Sequence, residues 1–285
     1  MNDLDALAKL VQALSPWRAH LVFVGGWAHR VHRFDPRANK LQYQPVFTRD
    51  TDLAFANRAP IEGDIKGALI AHGFKEQLTG KHKPPVTHYT LGEENGGFYA
   101  EFLTPLMGSG VKRGGAQDAT MAMAGISAQK IRHLDILLVH PWTITLGSLN
   151  GLPLPSAMDV QVANPLCFMV QKFLIQKDRQ PAKQAQDLLY IYDTIELFGA
   201  LLQEFNETWK AAIKPALGDK LSNVVVDLSN STFSSVNDVI RAAARIPQDR
   251  KLSPEQLQMV CQLAFEQILS AQKAYVRTLL LLYWV

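Results

Sequence analysis

Leu21-Val22-Phe23-Val24-Gly25-Gly26-Trp27-Ala28 decides how this 285-residue chain is read. Four consecutive apolar residues closed by two glycines predict a buried strand and its turn. Trp27 to Arg33 then has the make-up of a helix leaving that turn. On the N-terminal side, acids alternate with apolar residues at helical spacing from Met1 to Leu14, so an opening helix is expected. On the other side, residues 35–47 hold two prolines among polar residues and predict a loop or a two-stranded excursion.

Thr48-Arg49-Asp50-Thr51-Asp52-Leu53-Ala54-Phe55 comes next, alternating as a strand with one polar edge does. Side chains two apart on a strand share a face, so Asp50 and Asp52 project together while Thr51 and Leu53 turn the other way. Neighbouring carboxylates repel each other and lose hydration when partly buried. A divalent cation relieves both costs, which makes the pair a platform for magnesium. A third acid completes it: Glu101, in Tyr99-Ala100-Glu101-Phe102-Leu103, stands inside an otherwise apolar strand candidate, a setting that charged residues avoid unless paired or metal-bound. Taken alone, the DxD spacing is short and also marks solvated edges and turns. Gly25-Gly26 adds weight, because a strand, two glycines and a helix N-terminus let backbone amides approach phosphate oxygens.

Elsewhere in the first half, Glu62 to His72 has helical spacing and stops at Gly73. Val86 to Leu91 and Phe98 to Leu103, around a loop from Gly92 to Gly97, predict a hairpin. Ile136 to Val139 and Thr143 to Leu146 are further extended candidates. From Asn164 the pattern turns helical: Pro165 to Gln176, Pro181 to Tyr192, Glu196 to Ala212, and Pro254 onward, with each proline placed where a first helical turn accepts it. Gly147, Gly151, Pro153 and Pro155 punctuate the change. The expectation is an α+β chain: a domain over residues 1–155 with a small mixed or antiparallel sheet, and a mostly helical domain over 156–285.

The net charge of +3 permits an anionic substrate and falls far short of a basic nucleic-acid coat. Cys167 and Cys261 stand in apolar stretches without a CxxC or Cys/His cluster, so they read as buried free thiols and fit a reducing, cytoplasmic setting. The opening residues lack the pattern of a secretory signal. The apolar tail from Leu279 to Val285 is far shorter than the ~20 residues that span a bilayer; no membrane partner is expected, and a docked helix or a homodimer contact suits it better. His29 and His32 lie one helical turn apart with no third ligand apparent, and read as surface or core histidines. Gly108 to Gly115 is a basic, glycine-rich loop, suited to clamping nucleotide or RNA or to serving as a mobile connector.

Taken in order, Val22-Phe23-Val24-Gly25-Gly26-Trp27-Ala28, Thr48-Arg49-Asp50-Thr51-Asp52-Leu53 and Glu101-Phe102-Leu103-Thr104-Pro105 resemble the minimal nucleotidyltransferases of the DNA polymerase β-like superfamily. The likeness is to the bacterial branch that includes abortive-infection and toxin-type enzymes. It covers about the first half of the chain and, more weakly, continues to about residue 195. The resemblance implies that Gly25 and Gly26 hold a nucleoside triphosphate. It also implies that Asp50, Asp52 and Glu101 are the catalytic acids and bind two magnesium ions. Gln171-Lys172-Phe173, Asp178-Arg179 and Lys183 to Asp187 resemble the basic and acidic pattern in the helical part of the same enzymes, which implies that Lys172, Arg179 and Lys183 meet the triphosphate. The plainer reading of Lys183 and Asp187, four apart on a helix, is a surface ion pair.

The implied reaction transfers a nucleoside monophosphate to a hydroxyl of RNA, protein or a small molecule, and the toxin-type branch adds an antitoxin as partner. Two departures stand out. Trp27 occupies the place of a small hydroxyl residue, and the interval from Gly26 to Asp50 is long, implying an insertion around residues 35–47. Trp27 keeps open a second class, a catalytically inactive nucleotide-binding regulator or adaptor on the same scaffold. A helical interaction module with an incidental DxD is a third.

Overall fold

A computed structural model describes residues 2–46, 48–56, 61–79, 85–92, 97–111, 115 and 117–270. Its described residues form two compact units, Met1–Gln171 and Lys172–Val285.

The first unit is built on the quoted run. β1 (Leu21–Val24) is buried along its whole length and leads directly into α2 (Gly25–His32). Before it lies α1 (Asp3–Ala13), opened by a capping box in which Asn2 and Asp5 satisfy each other's backbone amides. β2 (Asp50–Phe55) pairs antiparallel with β1, and α3 (Ile65–Ala71) is capped by Asp64. β3 (Lys75–Thr79), β4 (Val86–Leu91) and β5 (Phe98–Pro105) come after it, with β4 antiparallel to both neighbours. β6 (Thr120–Met123) and β7 (Ile126–Ile131) make a tight hairpin, and β8 (Trp142–Leu146) pairs antiparallel with β9 (Met158–Val162). Among the described residues the sheet has nine strands, with a main path β3-β4-β5-β2-β1-β9-β8 and β7 joined to the far end of β5. It is mixed: β1 runs parallel to β9, and β5 runs parallel to both β2 and β7.

One sheet face is apolar and carries the core. Phe23, Leu53, Phe55, Ala100, Phe102, Ile144 and Val162 lie there with residues of α1, α2 and α3. Burying such side chains stabilises by ~1.5–3 kcal/mol each, and this fixes which face every strand turns inward. His29 and His32, on α2, belong to this unit's interior. Both are 0% exposed and pack on Phe168, and His32 Nε2 meets the Ala163 carbonyl at 2.8 Å.

Several expectations are corrected. Ile136 to Val139 is not extended: residues Asp135–Leu138 form a 3-10 turn, pinched between His133 and His140, whose φ values are 59° and 48°. Of the two alternatives expected for residues 35–47, the described residues 35–46 form the loop and not the two-stranded excursion. β3, β6, β7 and β9 had escaped notice. β3 is a polar edge strand, and the β6–β7 turn uses Ala124 and Gly125 at φ 45° and 80°, an unusual conformation for alanine that no Asn-Gly signal announces. The basic residues Lys112 and Arg113, most of the Gly92–Gly97 loop and the apolar tail lie outside the described residues.

In the second unit, α4 (Pro165–Ile175), which begins in the first, is followed by α5 (Pro181–Phe198), α6 (Leu202–Thr208), α7 (Lys214–Phe233), α8 (Asp238–Ala244) and α9 (Pro254–Ile268). Phe173, Phe233 and Phe265 form an aromatic triad among α4, α7 and α9. Cys167 in the first unit and Cys261 in the second are free and buried, and burial pushes the Cys167 thiol up to about 12. No described helix is long and apolar enough to cross a membrane.

Candidate active site

The sheet face opposite the core carries the acids. In register, Val24 lies beside Asp52, Asp52 beside Glu101, and Glu101 beside His88, so one row crosses β1, β2, β5 and β4. Paired positions on neighbouring strands are ~4.8 Å apart and share a face. The next row sets Asp50 beside Tyr99. Asp50, Asp52, Tyr99, Glu101 and His88 are all partly exposed, whereas Thr51, between the aspartates, is 0% exposed on the core side. Asp50, Asp52 and Glu101 thus share one partly exposed face of the sheet.

The glycine turn adjoins them. Gly25 adopts φ 65°, and a Cβ built there would lie 2.0 Å from Asp52 Oδ2. No other residue type fits without displacing that carboxylate. The N-cap residue Val24 makes no side-chain cap hydrogen bond, and Gly25 and Gly26 at the start of α2 are both partly exposed. The Trp27 indole, in contrast, is 0% exposed, edge-on to Phe98 at 5.4 Å with the Arg30 guanidinium 4.0 Å above it. Trp27 therefore serves the core and does not fill the mouth of the turn.

The charges respond to this crowding. Burial and the nearby Asp50 push the Glu101 carboxyl above its ordinary range, against the opposing pull of His88. Burial pushes the Tyr99 phenol up to about 12, helped by Asp50, Glu101 and Asp52 and opposed by Arg49. One hydroxyl feels all three acids at once. The Thr48 hydroxyl donates to Asp50 Oδ1, and His88 Nε2 lies 3.3 Å from Glu101 Oε1 while its ring stacks on Tyr99 at 5.8 Å. His88 and Tyr99 were missed in the sequence. Their signal was parity: Tyr99 stands two residues before Glu101, and His88 is the ring with a polar edge in the β4 candidate.

Among the described residues, no three His, Cys, Asp or Glu side chains are gathered closely enough to hold an ion as they stand. What fits a hard divalent cation is the donor chemistry: three carboxylates on one face, one of them with its charge disfavoured by burial and by a neighbour of like sign.

The cations expected at the triphosphate belong to the second unit. Lys172 and Asp187 are 5% and 3% exposed and pair at 2.8 Å, with Arg179 Nε reaching the same carboxylate at 3.1 Å. The expected surface pair of Lys183 and Asp187 is replaced: Asp187 faces inward, and Lys183 donates to Gln186 at 3.1 Å.

A glycine turn against a DxD strand, in an α+β sheet followed by helices, defines a protein built for nucleotidyl transfer. The nucleotidyltransferase family matches residues 2–214, and the chain belongs to that family. No curated protein shows significant similarity to it. MenT4, a nucleotidyltransferase toxin from Mycobacterium tuberculosis H37Rv, is similar in structure with a TM-score of 0.38 and 13% identity, over 94% of this chain and 84% of that one. So loose a likeness says nothing of substrate, acceptor or partner.

Proposed function

We propose that this nucleotidyltransferase moves a nucleoside monophosphate from a nucleoside triphosphate to an acceptor hydroxyl on RNA, protein or a small molecule, with divalent cations held by Asp50, Asp52 and Glu101. The observation that carries the reading is the row Val24–Asp52–Glu101, in which the aspartate packs against the backbone of the glycine turn. That contact sets an anion-binding backbone and an acidic platform side by side. Phosphate and metal need those opposite surfaces together.

In this reading the amides of Gly26 and Trp27 bind phosphate oxygens, and Gly25 lets the Asp52 carboxylate come close beside them. Thr48 fixes the rotamer of Asp50. Tyr99 stays a neutral hydroxyl at working pH and offers a donor next to the acids. Bound magnesium would supply Lewis-acid charge neutralisation at the phosphates and the acceptor oxygen. Of the cations proposed to meet the triphosphate, Lys183 is exposed, while Lys172 and the partly exposed Arg179 would first exchange their contacts with Asp187.

The test is incubation of the purified protein with magnesium and each nucleoside triphosphate, labelled at the α or at the γ phosphate, with total RNA or with the protein alone. The expected result is covalent transfer of α label and none of γ label. Retention of intact nucleotide without transfer supports the regulator. Absence of magnesium-dependent nucleotide binding overturns both readings.

A further inference from the structure

The mechanism leaves one partly buried ring beside the third acid without a task. His88 is 23% exposed and Glu101 18% exposed in their side chains, with Nε2 and Oε1 3.3 Å apart. Two further contacts fix the ring. Its strand pairs with β5 so that His88 falls directly beside Glu101, and its face lies on Tyr99, 21° from coplanar. Tyr99 in turn is the register neighbour of Asp50. A chain of packed groups therefore runs from Asp50 through Tyr99 and His88 to the outer side of Glu101, the side away from Asp52.

We propose that His88 is a positioning residue for Glu101: it holds one carboxylate oxygen through Nε2–H and so presents the other to the ion shared with Asp50 and Asp52. The inference rests on the proposed role of Glu101 as a ligand. A carboxylate on a sheet surface rotates freely about its last torsion, and an ion selects only part of that range. A donor on the far oxygen removes the unproductive orientations beforehand, which is why outer partners of metal ligands typically contribute 10–100-fold in affinity. Stacking on Tyr99 keeps the donor itself in place.

The experiment uses the full chain and manganese alone, with free ion followed by electron paramagnetic resonance. Four variants are compared with the parent: Glu101→Gln, His88→Phe, His88→Asn and His88→Gln. Phenylalanine keeps the stack and loses the donor, the asparagine amide is too short to reach, and the glutamine amide reaches the place of Nε2. Manganese affinity is expected to fall about 10–100-fold in His88→Phe and His88→Asn, with most of it regained in His88→Gln. In the transfer assay, the same two variants need more metal for half-maximal rate, while KM for the triphosphate at saturating metal stays at the parental value. Normal manganese binding in His88→Phe together with lost binding in Glu101→Gln overturns the role of His88 and leaves the site reading intact. Normal binding in Glu101→Gln overturns that reading and this inference with it. Equal loss in all three His88 variants also overturns the inference, since the ring would then be a ligand or a structural element.

Discussion

In the helical unit, Asp187 receives an ammonium and a guanidinium, and Asp193 and Glu196 share the guanidinium of Arg250. On the sheet, Asp50, Asp52 and Glu101 share one face, and burial, helped by Asp50 and opposed by His88, holds the Glu101 carboxyl above its usual range. Acids matched by cations hold helices together. The acids of the sheet face share one partly exposed surface, with the His88 imidazole beside Glu101, and in the proposed function a divalent cation completes their neutralisation.

The contrast breaks most visibly if single neutralisations act alike in both places. Asp50→Asn or Asp52→Asn is expected to lower transfer by about 10³-fold or more while the thermal midpoint holds or rises, because a repulsion is removed. Radiolabel transfer and circular dichroism melting check the two halves of that statement; a large loss of stability would place the aspartates among the scaffold. Asp187→Asn is expected to do the reverse. It strands the buried Lys172 charge and costs about 3–4 kcal/mol in urea unfolding.

His32 sharpens the comparison from a third side, as a charge that the core excludes instead of pairing. Burial lowers its pKa from 6.5 to about 4, outweighing the Ala163 carbonyl and Asp35, which both raise it. The unfolded chain takes up the proton near 6.5 and the native core only near 4. The His32 contribution to stability is therefore complete above pH 6.5 and is lost as pH falls toward 4, up to about 3 kcal/mol. Urea midpoints measured across that window should fall, and His32→Gln should flatten the slope. The smallest effect tests the join between turn and acid: Gly25→Ala forces a non-glycine residue to φ 65° and should cost about 1–2 kcal/mol. It should also depress transfer by displacing Asp52.

How much of this was legible in sequence depends on which physics was local. The apolar run before Gly25, the alternation around Asp50 and the lone acid in Phe98 to Leu103 each state their conformation within a few residues, and β1, β2 and β5 stand where those patterns put them. β3 is a strand because its neighbour in the sheet offers it hydrogen bonds, and Lys75-Glu76-Gln77 carries too little apolar pattern to announce it; β9 did alternate, Met158, Val160 and Val162 against Asp159 and Gln161, but over only five residues beside the Gly/Pro-punctuated stretch before it. The inward turn of Asp187 was hidden for a related reason. Helical spacing gave Lys183 as its partner, and only the packing of α5 shows that the carboxylate faces Lys172. His88 was legible in parity but silent in meaning until β4 was set against β5.

The alternation on β5 also limits how the gene can change. Lengthening the chain by one residue within Phe98 to Glu101 would exchange the destinations of neighbouring side chains, sending a carboxylate into the apolar layer and a phenylalanine into water. A one-residue insertion is therefore expected to cost more within β5 than between residues 39 and 46, where the chain is loop.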